Sequence, residues 1–260
     1  MLCSEVNKLV LARRYIYNMY KVNTISEIVR NDYRTAEVFK KWGINFCCGG
    51  NLSLAETCFH KGLDQRLIEQ DIQQVTREVR IPNSVNYNQW PIDFLIDYIL
   101  NVHHSYLNEA IPQLQEALIA FVPGHKKKYP HMEIVQEAFE DLATVLQEHI
   151  KKEEQVVFPY LKQVSSTLKN KEVYGPLFVR LLKKSLNDIT VTDHLRIEAL
   201  LQQLRKETDS YQFAEEACTR HQVIYNQLKE FDNDLVQHMH LENNVLFPKG
   251  LQLEKELLEL

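Results

Sequence analysis

The sequence predicts an all-α chain: a small N-terminal helical domain, then an up-down-up-down four-helix bundle. Three observations predict it. Only seven glycines and eight prolines occur in 260 residues, half the roughly 12% of an average protein, so little material is left for hairpins. Long stretches are rich in Leu, Glu, Gln and Lys, which favour helix. Apolar residues recur three and four apart, as in Leu95, Ile99, Val102 and Tyr106, a spacing that lays one stripe along a helix.

Residues 1–22 mix Val, Leu, Ile and Tyr with Arg13, Arg14 and Lys21 and read as an N-terminal leader. Residues 23–80 read as a small helical domain of short helices. Gly43 and Gly49-Gly50 are turn signals, and Ser53-Leu-Ala-Glu56 is a capping box that opens the next helix. The stretch 81–91, with two prolines and three asparagines and no helical periodicity, reads as a linker. Residues 92–260 read as the bundle, with helical patterns at 92–121, 132–163, 175–207 and 212–247. Pro123-Gly124, Lys169-Asn170 and Thr208-Asp209-Ser210 mark the joins, and four helices with short joins make a bundle.

Composition excludes several function classes. The formal charge of −5 is spread along the chain, and its one basic block, Lys126-Lys127-Lys128, reads as a solvated loop. Nucleic-acid binding leaves a basic stripe, so no nucleic-acid partner is expected. No apolar run approaches the roughly 18 residues of a membrane span, and the start of the chain lacks a signal-peptide pattern. Five cysteines, an odd number with two adjacent, do not form a secreted disulfide framework and fit a reducing cytoplasm.

An internal repeat turns the generic bundle into a candidate site. His149-Ile-Lys-Lys-Glu153-Glu-Gln-Val-Val-Phe-Pro159 reappears 89 residues later as His238-Met-His-Leu-Glu242-Asn-Asn-Val-Leu-Phe-Pro248. The segment from His104 likewise lines up with the one from His194; His104 precedes His149 by 45 residues and His194 precedes His238 by 44. The bundle therefore reads as two helical hairpins related by an approximate twofold axis. Positions i and i+4 share a helix face, with Cβ atoms about 5–6 Å apart. His149 with Glu153, and His238 with Glu242, can each reach one interior point, and each hairpin adds an inward histidine from its first helix. Two imidazoles per metal and two shared carboxylates give a binuclear site of the kind helix bundles build. Mixed N and O ligands without thiolate suit iron or manganese, with zinc left open by ligand type alone. The Val, Phe and Pro of the motif read as packing and helix ending.

A lone His-x-x-x-Glu is common; two in register, with a further matched histidine pair, are not. His103 lies about 100° round the helix from His104 and lacks the alignment with His194, so it is set aside. His240, two residues past His238, reads as exposed, and His60, His125, His131 and His221 have no partner pattern. Cys3, Cys58 and Cys218 read as small buried hydrophobes. Cys47 and Cys48, adjacent at a glycine turn before a helix N-terminus, read as accessible thiols of lowered pKa. They suit thiol exchange, nitric oxide capture or the handing on of iron, with a structural role left open.

The two signatures together resemble one family. The paired His-x-x-x-Glu segments resemble a hemerythrin-like domain. Gly43-Ile-Asn-Phe-Cys47-Cys48-Gly-Gly50 is similar to the Cys-Cys-Gly-Gly signature in the small N-terminal domain of the Repair of Iron Centres family of di-iron proteins. The match runs from about residue 24 to 250 and leaves residues 1–22 outside. Residue by residue, the resemblance implies metal ligands at His104, His149, Glu153, His194, His238 and Glu242, holding two non-haem, oxo-bridged iron ions. It implies a cytoplasmic homodimer that restores iron–sulfur clusters damaged by nitric oxide or peroxide, by supplying iron rather than as an enzyme. The oxygen-carrying hemerythrins use more histidines and an aspartate, a departure that weighs against oxygen transport. Two other readings stay open: a nitric oxide or peroxide reductase, and an oxygen or nitric oxide sensor or carrier.

Overall fold

The computed structural model describes residues 23–46, 50–76, 86–182 and 184–259, with the backbone alone over 182–191. The leader, Cys47, Cys48 and residues 81–85 of the linker lie outside the described residues. Every named element among them is helical; an isolated bridge between Thr24 and Ser53 is the one β-type pairing. No helix among them is long and apolar enough to cross a membrane.

The chain divides into two compact units, one holding residues up to Ile81 together with Phe213–Gln227, the other Pro82–Gln212 and Leu228–Leu260. The first contains α1 (Ile25–Asn31), α2 (Thr35–Lys41), α3 (Leu54–Lys61) and α4 (Gln65–Val75). Two capping boxes start its helices. The Glu27 N–H donates to the Thr24 hydroxyl at 3.2 Å, and the Thr24 N–H donates back to the Glu27 carboxylate at 2.8 Å. Ser53 and Glu56 repeat the exchange at 3.2 and 2.9 Å, as their spacing predicted. Gly43 (φ 64°) and Gly62 (φ 65°) close α2 and α3 in the left-handed region that favours glycine. Ile25, Ile28, Phe39, Leu54, Ile68 and Ile72 form the core, joined by Val223.

The second unit is built of four helical rods. The first comprises α5 (Ile92–Tyr98), a π-helical turn (Ile99–His104) and α6 (Ser105–His125). The next comprises α7 (Met132–Lys152), a π turn (Glu153–Val157) and α8 (Phe158–Lys169). α9 (Gly175–Leu182) and α10 (Lys184–Glu207) follow. α11 (Thr219–Leu241), which belongs to this unit from Leu228 onward, a π turn (Glu242–Leu246) and α12 (Phe247–Leu258) follow.

The prolines behave differently from the sequence expectation. The first rod runs through Pro112 and Pro123 to His125 instead of stopping at 121. Its last turn is held by packing: the His125 ring stacks on Phe121 with centroids 4.0 Å apart, and its Nδ1 lies 2.9 Å from the Phe121 carbonyl. Pro159 and Pro248 do not end their rods either. Each sits in the first turn of the helix that restarts after a π turn, where a missing N–H is tolerated. The fourth helix begins at Thr219 rather than 212.

The Gly-Gly signal also has a packing cause. The Ser26 hydroxyl donates to the Phe46 carbonyl at 2.7 Å, and the Ser26 N–H donates to the Gly50 carbonyl at 3.0 Å. A Cβ on Gly50 would collide with Ser26 Oγ and with the Phe46 carbonyl oxygen, the latter at 2.5 Å. Backbone cannot yield as a flexible side chain can. Gly50→Ala is therefore expected to cost about 1–3 kcal/mol, the usual price of overpacking, visible as a lowered thermal midpoint; an unchanged midpoint would show that the close approach is slack.

Candidate metal centre

The six side chains singled out by the repeat converge in the interior of the second unit. His104, Glu153, His238 and Glu242 form one group able to hold a cation, and His149, Glu153, His194 and Glu242 form another. Both glutamates belong to both groups. His104, His149, Glu153, His238 and Glu242 are 0–1% exposed and His194 is 6% exposed.

Three of the four rods reach this point through a π turn. His104 is the last residue of the first, while Glu153 and Glu242 open the second and third. A π turn carries one extra residue, which re-aims the positions that follow, and such turns concentrate at functional sites. The repeated Glu-x-x-Val-x-Phe-Pro is thus the local signature of a π turn with a helical restart. Its phenylalanines also pack on ligands: Phe158 stacks on His104 with centroids 5.5 Å apart, and Phe247 on His194 at 6.1 Å.

The histidines pair across the two hairpins. His104 Nε2 lies 3.3 Å from His238 Nε2, and His149 Nε2 lies 3.1 Å from His194 Nε2. Glu153 Oε2 is 3.4 Å from His104 and 3.3 Å from His149; Glu242 Oε1 is 2.8 Å from His238 and its Oε2 3.3 Å from His194. Each half of the site therefore needs one histidine from each hairpin, and both carboxylates lie between the halves.

The outer ring nitrogens are also held. His104 Nδ1 lies 2.9 Å from the Glu154 carboxylate, and His194 Nδ1 lies 2.9 Å from the Asn243 side-chain oxygen. These contacts fix ring orientation and point Nε2 inward. His103 belongs to neither cation group; it is buried, 2.9 Å from Asp234, and stacked on His238 with centroids 5.8 Å apart. His240 is exposed and bonded to Asn244. Cys58 is buried, and burial raises its thiol pKa.

Electrostatically the centre demands a cation. Removing a carboxylate from water costs several kcal/mol unless it is paired. Among the described residues, the cationic partners within reach of Glu153 and Glu242 are the histidines alone. Both oxygens of Glu153 and one of Glu242 are buried without a hydrogen-bond partner. Burial, with Glu242 beside it, pushes the Glu153 carboxyl well above the usual range. Burial acts on Glu242 as well, but His238, His149 and His194 outweigh it and hold that carboxyl well below the range. Burial and the neighbouring His238 lower His104 to about 4, and burial lowers His149. At His194 the bond with Glu242 outweighs burial, and the shift is upward. Four imidazole nitrogens and two carboxylates facing one another at 2.8–3.9 Å fit a pair of cations of N/O preference.

The sequence matches two family models and a set of curated proteins. The hemerythrin HHE cation binding domain matches residues 95–250, and the ScdA N-terminal domain, a domain of unknown function, matches residues 21–76. The chain is 28% identical over 234 residues to the iron-sulfur cluster repair protein YtfE of Escherichia coli O157:H7, covering 89% of this chain and 98% of that protein. It is 28% identical over 230 residues to the iron-sulfur cluster repair protein ScdA of Staphylococcus epidermidis, covering 88% and 98%.

Two measurements check the geometry. Glu153→Leu or Glu242→Leu is expected to remove most of the bound metal, since each carboxylate serves both groups, while His240→Ala leaves the metal content unchanged. Equal losses in all three variants would mean that the wrong faces are inward. Loading the metal-free protein is expected to release protons, because a cation binds ionised Glu153 and neutral His194, and both groups hold their protons to higher pH than usual. Calorimetry in buffers of different ionisation enthalpy reads that release directly; a heat independent of buffer would contradict it.

Proposed function

The chain belongs to the hemerythrin HHE cation binding domain family, and on that premise we propose that it repairs damaged iron–sulfur clusters by supplying iron. The observation that carries this reading is the buried six-ligand centre with two glutamates common to both cation groups. The relatives named as iron-sulfur cluster repair proteins, matched over nearly their whole length, support it.

The residues would hold an oxo-bridged pair of non-haem iron ions: His104 and His238 would hold one, His149 and His194 the other, with Glu153 and Glu242 shared by both groups. Bound there, iron supplies a redox-active and exchangeable metal. The protein's own part is to bind and orient. The Phe158 and Phe247 rings shield the histidines, Glu154 and Asn243 fix two of the imidazoles, and the apolar core at this end keeps bulk water out. Neutral imidazoles and carboxylates bind soft metal states less tenaciously than thiolates do, which suits a centre that gives up its ion.

Cys47 and Cys48 of the small unit are assigned to thiol exchange or to receiving iron on its way to a client. The reducing cytoplasm and the homodimer expected from the resemblance belong to the same reading, with damaged iron–sulfur proteins as clients and nitric oxide or oxygen as small ligands.

Reactivation of a nitric-oxide-treated iron–sulfur dehydratase tests the proposal at matched iron loading. Iron-loaded protein is expected to restore activity, and Glu153→Leu to lose at least tenfold. Cys47→Ala/Cys48→Ala is expected to keep the iron spectrum and lose much of the repair. Restoration by free ferrous iron at the same rate would sink the donor role, and sustained turnover of nitric oxide would favour a reductase instead.

A further inference from the structure

The two halves of the centre are related by the internal repeat, yet their surroundings differ. In the His104–His238 half, the outer nitrogen of His104 meets the carboxylate of Glu154 at 2.9 Å. The repeat places Asn243 where Glu154 stands, so in the other half His194 meets a neutral amide oxygen at the same distance. An outer carboxylate makes an imidazole a stronger metal ligand than an outer amide does.

The second histidines lack such an outer hydrogen bond in both halves. His238 Nδ1 is buried without a hydrogen-bond partner, and the half-buried Asp234 one turn earlier on α11 is bonded to His103 instead. Behind His149, the nearest carboxylate is Asp193, 3.8 Å away and already bonded to Lys152 at 2.9 Å. The outer support of the two halves therefore differs at His104 and His194, a carboxylate against a neutral amide.

An independent feature falls on the same half. A cleft of ≈ 370 Å³ opens between α10 and the end of α11, and its walls include His194, Leu195, Val236, Met239 and Asn243. His194 is the most exposed of the six ligands, at 6% against 0–1% for the others. The half whose outer partner is a neutral amide is thus also the half beside the cleft.

We propose that the two iron positions are unequal: the His149–His194 position exchanges its ion through this cleft, while the His104–His238 position retains its own. Asn243 is the positioning residue that sets the difference. This inference rests on the di-iron reading above and adds which ion leaves and by which route.

Iron release from the loaded full-length protein to an excess of a ferrous chelator, under anaerobic reducing conditions, tests it. The wild type is expected to release iron in two phases of equal amplitude. Asn243→Asp, which gives His194 the carboxylate that His104 already has, is expected to slow the fast phase by roughly tenfold or more and leave the slow phase unchanged. Val236→Trp narrows the cleft from an exposed position without touching a ligand, and it too is expected to slow only the fast phase. Release of both ions in one phase overturns the proposal, as does an effect of either variant confined to the slow phase, or a fast phase that neither variant alters. Biphasic release without dehydratase repair would sink the donor role and leave the unequal positions standing. Single-phase release with full repair does the reverse.

Discussion

Two carboxylates that share one dry interior set the terms for the rest of this bundle. Glu153 and Glu242 are fully buried, and both face the same four imidazoles. Left alone they could not both be charged, because like charges in a low dielectric repel and neither has water to solvate it. The fold surrounds them with neutral bases whose inner nitrogens are aimed at the same space. In the proposed reading a pair of cations resolves the conflict, and metal binding would then be part of what stabilises the folded state.

Holding those groups in place requires departures from regular helix. Three of the rods carry a π turn at the centre, and the α10 backbone that bears His194 continues regularly from Lys184 to Glu207. The π turns re-aim Glu153 and Glu242 without breaking the rods, and the prolines that follow sit where a helix can do without an N–H. Each of the two later turns then places a phenylalanine on a ligand ring and a polar neighbour on that ring's outer nitrogen. Each five-residue turn with the phenylalanine that follows it thus supplies a carboxylate common to both groups, a ring orienter and an apolar shield. Duplication gives both halves this plan, and the change from Glu154 to Asn243 makes them differ chemically.

The four long helical segments, the Ser53–Glu56 cap and the six converging side chains were legible in the sequence because they depend on spacing along one strand of chain. An i, i+4 pair shares a face whatever lies opposite it, and a repeat in register shows without any knowledge of contacts. The prolines were misread for the opposite reason. A proline signals an end only if the next turn has nothing better to do, and packing of Phe121 and His125 or a π turn alters that balance.

By itself, then, the sequence determined the helical class, the repeat and which side chains face one interior point. The tertiary structure alone decided which histidines stand together. His104 pairs with His238 and His149 with His194, across 134 and 45 residues of chain, and no local pattern encodes a pairing between hairpins. Glu154, Asn243, Asp234 and the cleft beside His194 likewise acquire their meaning from the neighbouring rod. The physical reason is rotation and register: how far each rod turns about its axis depends on the packing of all four, and that is settled only when they fold together.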